Sequence, residues 1–358
     1  MEAIRFKARG RQAGFSLVEL MVGMTIGVIA GIIIIQVMSV FEAQRRTTTG
    51  AADAQTNGGI ALHTIAREMQ MAGYPLMPQD NSALECTAVS FGGTGITGIA
   101  PVQVVDGTAT ATVPASDTIT LRYGTSQTGG AFATIGVVNA GTRTFTLNSN
   151  LGCNVGHTTL IVSGSSCFIS SVEALTVGAN PTVTLVDITG AAASANFTCL
   201  GNWNEVTYAV NAATRNLERT VRLNGVAAAT TPSVVGIANL QAQYGVSAAA
   251  NSNQITQWVD PSGATWAAPT LANRNRIKGM RLAVIARNDK LEPGVVTAAC
   301  TSTTAAAPGG LCAWEGSAAS PAPAVDLSPG NADWNRFRYR VFETIVPLRN
   351  MIWSKDTL

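Results

Sequence analysis

The sequence predicts an α+β protein: one long, hydrophobic N-terminal helix followed by a β-rich, antiparallel head. Three observations carry that prediction. Residues 20–41 contain no charged side chain, and as a helix rising about 1.5 Å per residue they would extend roughly 33 Å, enough to cross a hydrocarbon core of about 30 Å. Beyond them Leu62, Ile65, Ala66, Met69 and Ala72 recur at helical intervals until Gly73 and Pro75 stop the pattern. After Tyr74 the period becomes two, in short β-branched and aromatic runs separated by turn residues. Four segments result: residues 1–14, a span over 15–41, a helical continuation over 42–73, and a head over 74–358.

The opening segment carries Arg5, Lys7, Arg9 and Arg11 against one acid, Glu2. A basic flank before an apolar span holds the N-terminus in the cytoplasm and sends the rest across the membrane. Apolar sequence begins directly after Gly14, with no separate hydrophobic region before it as an ordinary cleaved secretory signal requires. Glu19 interrupts that apolar start. A carboxylate within a span costs about 2.5–3.5 kcal/mol on insertion scales, so Glu19 is a candidate functional residue by default.

Residues 42–59 are polar and small, with Arg45, Arg46 and Asp53, as expected once the helix leaves lipid. Gly58-Gly59 weakens the helix by about 1 kcal/mol per glycine relative to alanine and is expected to mark a bend. The stripe from Ile60 should pack on the head, with Arg67, Glu68 and Gln70 pointing away and His63 on the helix surface.

In the head, Ile119, Leu121 and Tyr123 alternate with Thr118, Thr120 and Arg122, a half-buried strand. Residues 144–147, 159–162 and 182–188 read similarly. The clearest hairpin sets Val206, Tyr208 and Val210 against Leu217, Arg219, Val221 and Leu223 across a turn at 211–216. Residues 277–287 are aliphatic on both faces, which predicts a central strand. In residues 336–346 Phe337, Tyr339 and Val341 alternate with Arg336, Arg338 and Arg340, which predicts one core face and one cationic row. Residues 297–333, rich in Ala, Thr, Ser, Pro and Gly, are expected to be a surface loop held by a disulfide rather than by packing. Segments 92–112 and 245–275 have the same loose character.

Only 12% of the residues are charged. The overall +2 comes from the first fourteen residues; without them 19 basic groups face 20 acidic ones, a formal −1, so bulk charge makes nucleic acid an improbable partner. Six cysteines, Cys86, Cys153, Cys167, Cys199, Cys300 and Cys312, all follow the span. An even number in an exported chain favours disulfides. Local spacing suggests Cys300–Cys312 and Cys153–Cys167, leaving Cys86–Cys199. No Cys-x-x-Cys, nucleotide loop, nucleophile elbow or His-Glu-x-x-His occurs, and His63 and His157 lie far apart. The sequence therefore implies no enzyme, no metal and no cofactor. The six tryptophans are candidates for a binding face, and core packing is the preferred reading of Trp334, Phe337 and Tyr339.

Gly14-Phe15-Ser16-Leu17-Val18-Glu19-Leu20 resembles the class III signal of type IV pilins and type II secretion pseudopilins. The resemblance implies cleavage between Gly14 and Phe15 by a prepilin peptidase, N-methylation of Phe15, and an assembly role for Glu19 beside the terminal amine of a neighbouring subunit.

A second resemblance, to the PilW group of minor pilins, rests on four segments in order. They are Glu68-Met69-Gln70-Met71-Ala72-Gly73-Tyr74, Asn239-Leu240-Gln241-Ala242-Gln243-Tyr244-Gly245, the strand from Gly279 through Arg281 to Arg287, and Val346-Pro347-Leu348-Arg349-Asn350. Met71 stands where the group often has a basic residue, and the 297–333 loop has no counterpart. The resemblance implies a structural subunit that initiates and caps a pilus near its tip. Its implied partners are other minor pilins, the major pilin, the prepilin peptidase, the assembly platform and a large tip adhesin. The subunit would sit in the inner membrane before assembly and at the cell surface afterwards. A J-type pseudopilin is the nearer alternative; a tip-displayed ligand- or DNA-binding module using the Arg336/Arg338/Arg340 row is the further one.

Overall fold

Helix α1 runs unbroken from Leu17 to Met69 in the computed structural model, which describes residues 14, 16–76, 86–149, 152–227, 229–301, 309–316 and 322–352. The chain divides into two units, residues 1–50 and residues 51–358. In the first, α1 exposes its apolar side chains all round, from Leu17 to Phe41. In the second, the last turns of α1 bury Ala54, Gly58, Ala61, Ile65 and Met69, one face at helical spacing. The glycine pair does not interrupt the helix. Gly58 is a point of close approach, where a Cβ would collide with the Phe342 ring, while Gly59 faces open space.

The head is built from strands β1 (Ala88–Phe91), β2 (Val102–Val105), β3 (Thr118–Tyr123), β4 (Ala133–Asn139), β5 (Thr144–Leu147) and β6 (Thr158–Ser163). There follow β7 (Ser166–Thr176), β8 (Thr182–Leu185), β9 (Asn196–Gly201), β10 (Asn204–Asn211), β11 (Asn216–Leu223) and β12 (Val226–Ala227). The last are β13 (Thr231–Val235), β14 (Ile237–Ser247), β15 (Ile255–Val259), β16 (Ile277–Arg287) and β17 (Tyr339–Pro347). Short helices α2 (Gly263–Trp266) and α3 (Leu271–Arg274) precede β16, and α4 (Arg349–Ile352) follows β17.

The described strands form three sheets. The first has the order β1-β7-β6-β9-β4-β5-β8, and β8 also pairs with β7, so six strands close into a ring. Ile135, Phe145, Leu147, Ile161, Phe168, Val183, Leu185 and Phe197 belong to its core. The second sheet, β12-β11-β10-β3-β2 with β13 on β11, contains the expected hairpin, with Tyr208 opposite Arg219 and Asn211 opposite Asn216. The third runs β15-β14-β16-β17. Residues 51–69 of α1 share one core with the second and third sheets, including Ile119, Val206, Tyr208, Leu240, Leu282 and Val284.

Several sequence expectations change here. β16 is central and buried on both faces, as read, but the cover on its outer face comes from the 297–333 segment. Leu311, Ala313, Trp314, Val325 and Leu327 pack there against Ala283 and Ile285, so the described part of that loop is core rather than only stapled surface. Segments 92–112 and 245–275 hold β2, the end of β14, β15, α2 and α3. Arg122 is buried, because the outer face of β3 is covered by residues 97–103. Its guanidinium donates to Glu205 (2.8 Å), the residue opposite it on β10, and to Ala100 O, Gln103 and Thr97. Asp117 joins the second and third sheets: its carboxylate accepts the Gly107 N–H (3.1 Å) and the Ala242 N–H (2.7 Å).

The last strand begins later than its pattern suggested. A 3-10 turn covers Trp334–Arg336 and β17 starts at Tyr339. Phe342 and Val346 meet the helix-side core, while Val341 is exposed. Two members of the arginine row are engaged, Arg336 with Asp333 (3.0 Å) and Arg338 with Glu292 (3.0 Å).

The disulfides are Cys86–Cys167, Cys153–Cys199 and Cys300–Cys312. The third agrees with the spacing argument; the Cys153–Cys167 and Cys86–Cys199 pairings are overturned. The alternation of the first sheet explains why. Cys167 lies on the face of Leu160, Val162 and Ile169, which Cys86 covers, and Cys199 on the face of Ile161, Phe168 and Phe197, which Cys153 shares. Cysteines on opposite faces of one sheet cannot bond, however near they are in sequence.

Candidate assembly segment

The start of α1 is organised by two residues three apart. Ser16 accepts the Glu19 N–H on its Oγ (3.1 Å) and the Leu20 N–H on its carbonyl oxygen (3.1 Å), closing the first turn. Ser-x-x-Glu is the spacing of a capping box, a signal present in the sequence that the membrane argument passed over. Glu19 is exposed and is the acidic group of the first helical turn, where the helix dipole favours a negative charge. Gly14 is exposed too; Phe15, the expected site of cleavage and methylation, lies outside the described residues.

The span is prepared for an apolar setting. Thr25 returns its hydroxyl hydrogen to Met21 O and Val22 O (3.1 and 2.9 Å), and Ser39 donates to Gln36 O (2.8 Å). Lipid offers such groups no partner, so internal satisfaction is what a spanning helix needs. By length and composition α1 can cross a membrane.

At its other end α1 is locked into the head by residues from the segments singled out above. Glu68 does not point away: it accepts from Tyr208 (2.7 Å) and pairs with Arg219 (2.6 Å). Burial, then the Glu68 hydrogen bond, holds the Tyr208 pKa above its usual 10.0. The Asn350 amide donates to Ala72 O and Met71 O (3.0 and 3.3 Å), satisfying carbonyls left open where the helix ends. Gly73 takes φ +84°, presents its N–H to Arg122 O (2.8 Å), and lies so close to Pro101 and Asn350 that a side chain would crowd both. Tyr74 donates to Ser126 O (2.6 Å). In the third sheet, the Tyr244 hydroxyl accepts the Val104 N–H (2.8 Å), with its pKa pushed up to about 12, chiefly by burial. His63 is exposed, and His157 accepts the Asn154 N–H on Nδ1 (3.2 Å). Among the described residues no group of three or more His, Cys, Asp or Glu could hold a metal ion.

Two family matches fall on these parts of the chain. Residues 9–35 match the prokaryotic N-terminal methylation motif, and residues 206–350 match Type IV Pilus-assembly protein W. Together the two matches support a type IV pilus minor pilin of the PilW type. The PilW match takes in β10 through β17, hence Tyr208, Arg219, Tyr244 and Asn350, and leaves the closed first sheet between the two matched regions. Pilin-family domains mark a structural protein and imply association with other pilins and with the prepilin peptidase. The methylation motif and the apolar helix fit a single-pass inner-membrane anchor. No curated protein and no solved structure matches the chain.

Proposed function

We propose that this minor pilin initiates and caps a type IV pilus, sits at or near its tip, and presents a large adhesin there. The observation that carries the assembly reading is the helix surface over residues 17–41, apolar on every side and marked by one carboxylate, Glu19. Such a surface suits lipid before assembly and the helices of other pilins afterwards. The precursor is cut after Gly14 and methylated on Phe15, with the basic segment in the cytoplasm and the head in the periplasm. Glu19 then meets the terminal ammonium of an adjoining subunit. Breaking a buried pair of that kind costs about 3–5 kcal/mol, so a neighbour docked out of register is penalised. The PilW match supports the pilus-assembly reading; the tip position and the adhesin follow from the resemblance to PilW minor pilins described above.

Variants in cells test this reading. Gly14→Ala should accumulate as full-length precursor. Glu19→Ala should be cleaved normally but co-purify with other minor pilins several-fold less than the parent at equal membrane levels. Glu19→Gln separates charge from helix capping, because an amide still serves the capping box. Failure of both Glu19 variants supports the ion pair; recovery with Gln alone assigns Glu19 to the cap, and undiminished incorporation of both removes its assembly role.

A further inference from the structure

A cleft of about 440 Å³ opens where the β10–β11 turn, the ends of β14, β16 and β17, and residues 327–331 meet. Its floor holds Arg287, whose side chain is only 7% exposed and whose guanidinium stacks 4.0 Å over the Phe337 ring. The Arg287 Nε is buried and has no hydrogen-bond partner. Arg215 lines the same cleft. Both guanidinium groups lean on one atom, Asp289 Oδ1, at 3.4 Å from Arg287 and 3.6 Å from Arg215, and Asp289 is 77% exposed.

We propose that this cleft binds a carboxylate carried on a short aliphatic segment, an acidic side chain or a free C-terminus of a peptide. Among the described residues the two cations share one carboxylate oxygen, from the hydrated Asp289, while the Tyr339 hydroxyl beside Arg287 is neutral; the ion cluster is incomplete. An arginine fork bonds a carboxylate through two parallel N–H···O contacts, which Asp289 does not supply to either group. The walls set the rest of the ligand. Val113, Pro114, Ala213, Ala238 and Leu327 leave room for small apolar side chains and offer a bare phosphate nothing to cover them. The volume falls within the usual range of about 300–1,000 Å³ for small-ligand sites. Burial, then the neighbouring Arg215, holds Arg287 below the ordinary guanidinium pKa, and Tyr339 and Asp289 offset only part of that. A second anion would relieve it.

Calorimetric titration of the full chain in detergent tests the site. The probes are N-acetyl-Ala-Asp-Ala-amide, its Asn counterpart, N-acetyl-Ala-Ala-Ala with a free carboxylate, and inorganic phosphate. The expected result is saturable binding of the Asp peptide or the free-terminus peptide, at least tenfold weaker binding of the Asn peptide, and at least tenfold loss in Arg215→Gln. Which carboxylate peptide binds tells a side-chain source from a terminal one. Asp289→Asn should tighten binding about three- to tenfold, because it removes the resident competitor; a purely structural cluster gives no such gain. Binding of the Asn peptide as tight as that of the better carboxylate peptide, preference for phosphate, no binding at all, or weaker binding in Asp289→Asn each overturns the proposal. Arg287→Lys serves as a further check, and Arg215→Gln decides if that variant does not fold.

Discussion

Asp117 is a buried carboxyl that joins two sheets, and among the described residues no cation pairs with it. Burial pushes its pKa from 3.8 to about 7; the Gly107 and Ala242 N–H groups pull it back, and Asp106 and Asp260 add to the rise. The folded-state pKa lies above the unfolded one, so the unfolded chain gives up the proton first as pH rises. The stability associated with Asp117 is therefore full below about pH 4, is lost between about pH 4 and pH 7, and is gone above that. The whole swing is at most about 4 kcal/mol at 1.36 kcal/mol per pKa unit. Denaturant midpoints of the full chain in detergent between pH 4.5 and 7.5 should fall in the parent and fall less in Asp117→Asn. The slope is the readout, since an amide can accept only one of the two backbone bonds and lowers stability at every pH. Equal slopes in the two proteins would show that Asp117 does not titrate in this range. Nothing in the sequence marks Arg122 as buried or Glu68 as engaged: each sits at a position that its own element assigns to solvent, and each is covered by a segment distant in sequence. Asp117 has the core-facing parity of Ile119 and Leu121, but no local pattern shows that its carboxyl will meet Ala242. Glu19 was legible because a charge in an apolar span stands out on composition alone.

At the scale of elements, Gly58 and Gly59 look alike in sequence and do opposite things. Alanine at Gly59 meets no atom and gains helix propensity, so Gly59→Ala should be neutral or more stable by up to about 1 kcal/mol. Alanine at Gly58 strikes the Phe342 ring, so Gly58→Ala should lose about 1–3 kcal/mol, and Phe342→Leu should restore part of the loss. Thermal or denaturant unfolding of the three variants checks this; Gly58→Ala as stable as Gly59→Ala would remove the close contact. Strands that depend on their own alternation, such as β3, β5 and the β10–β11 hairpin, were readable from the sequence. β17 was misread because a 3-10 turn shifts its start, and the 297–333 segment because its core residues are isolated apolar side chains among small ones. The two wrong disulfides failed for a related reason: spacing along the chain does not say which face of a sheet a cysteine occupies.

For the whole molecule, the boundary that matters lies inside α1. Ala54, Ala61, Ile65 and Met69 belong to the core shared by the second and third sheets, although they precede the head as its sequence delimits it. A chain starting at Ala51 should fold as a soluble monomer with a cooperative unfolding transition. One starting at Tyr74 should aggregate or melt at least ten degrees lower, because it loses the buried Ile65 and Met69, at roughly 1.5–3 kcal/mol each, together with Ala54, Ala61 and Ala72, a large part of the margin of most domains. Equal melting of the two truncated chains would place α1 outside the folding unit. The plan of a long apolar helix followed by a β-rich head was legible; the division of the head into three sheets was not, since strand order depends on contacts between distant segments.

The closed first sheet bears on life inside the filament proposed above. Pili hold many heads at very high local concentration, conditions under which an unpaired strand edge invites its neighbours to add strands and knit into fibres. The six-stranded ring presents no such template between its members; β1, paired only with β7, is the open edge of that sheet. The third sheet ends in β15 and β17, and β17 places Arg340 and Glu343 along its exposed stretch. The ring is protected by its topology, and the β17 edge by charge.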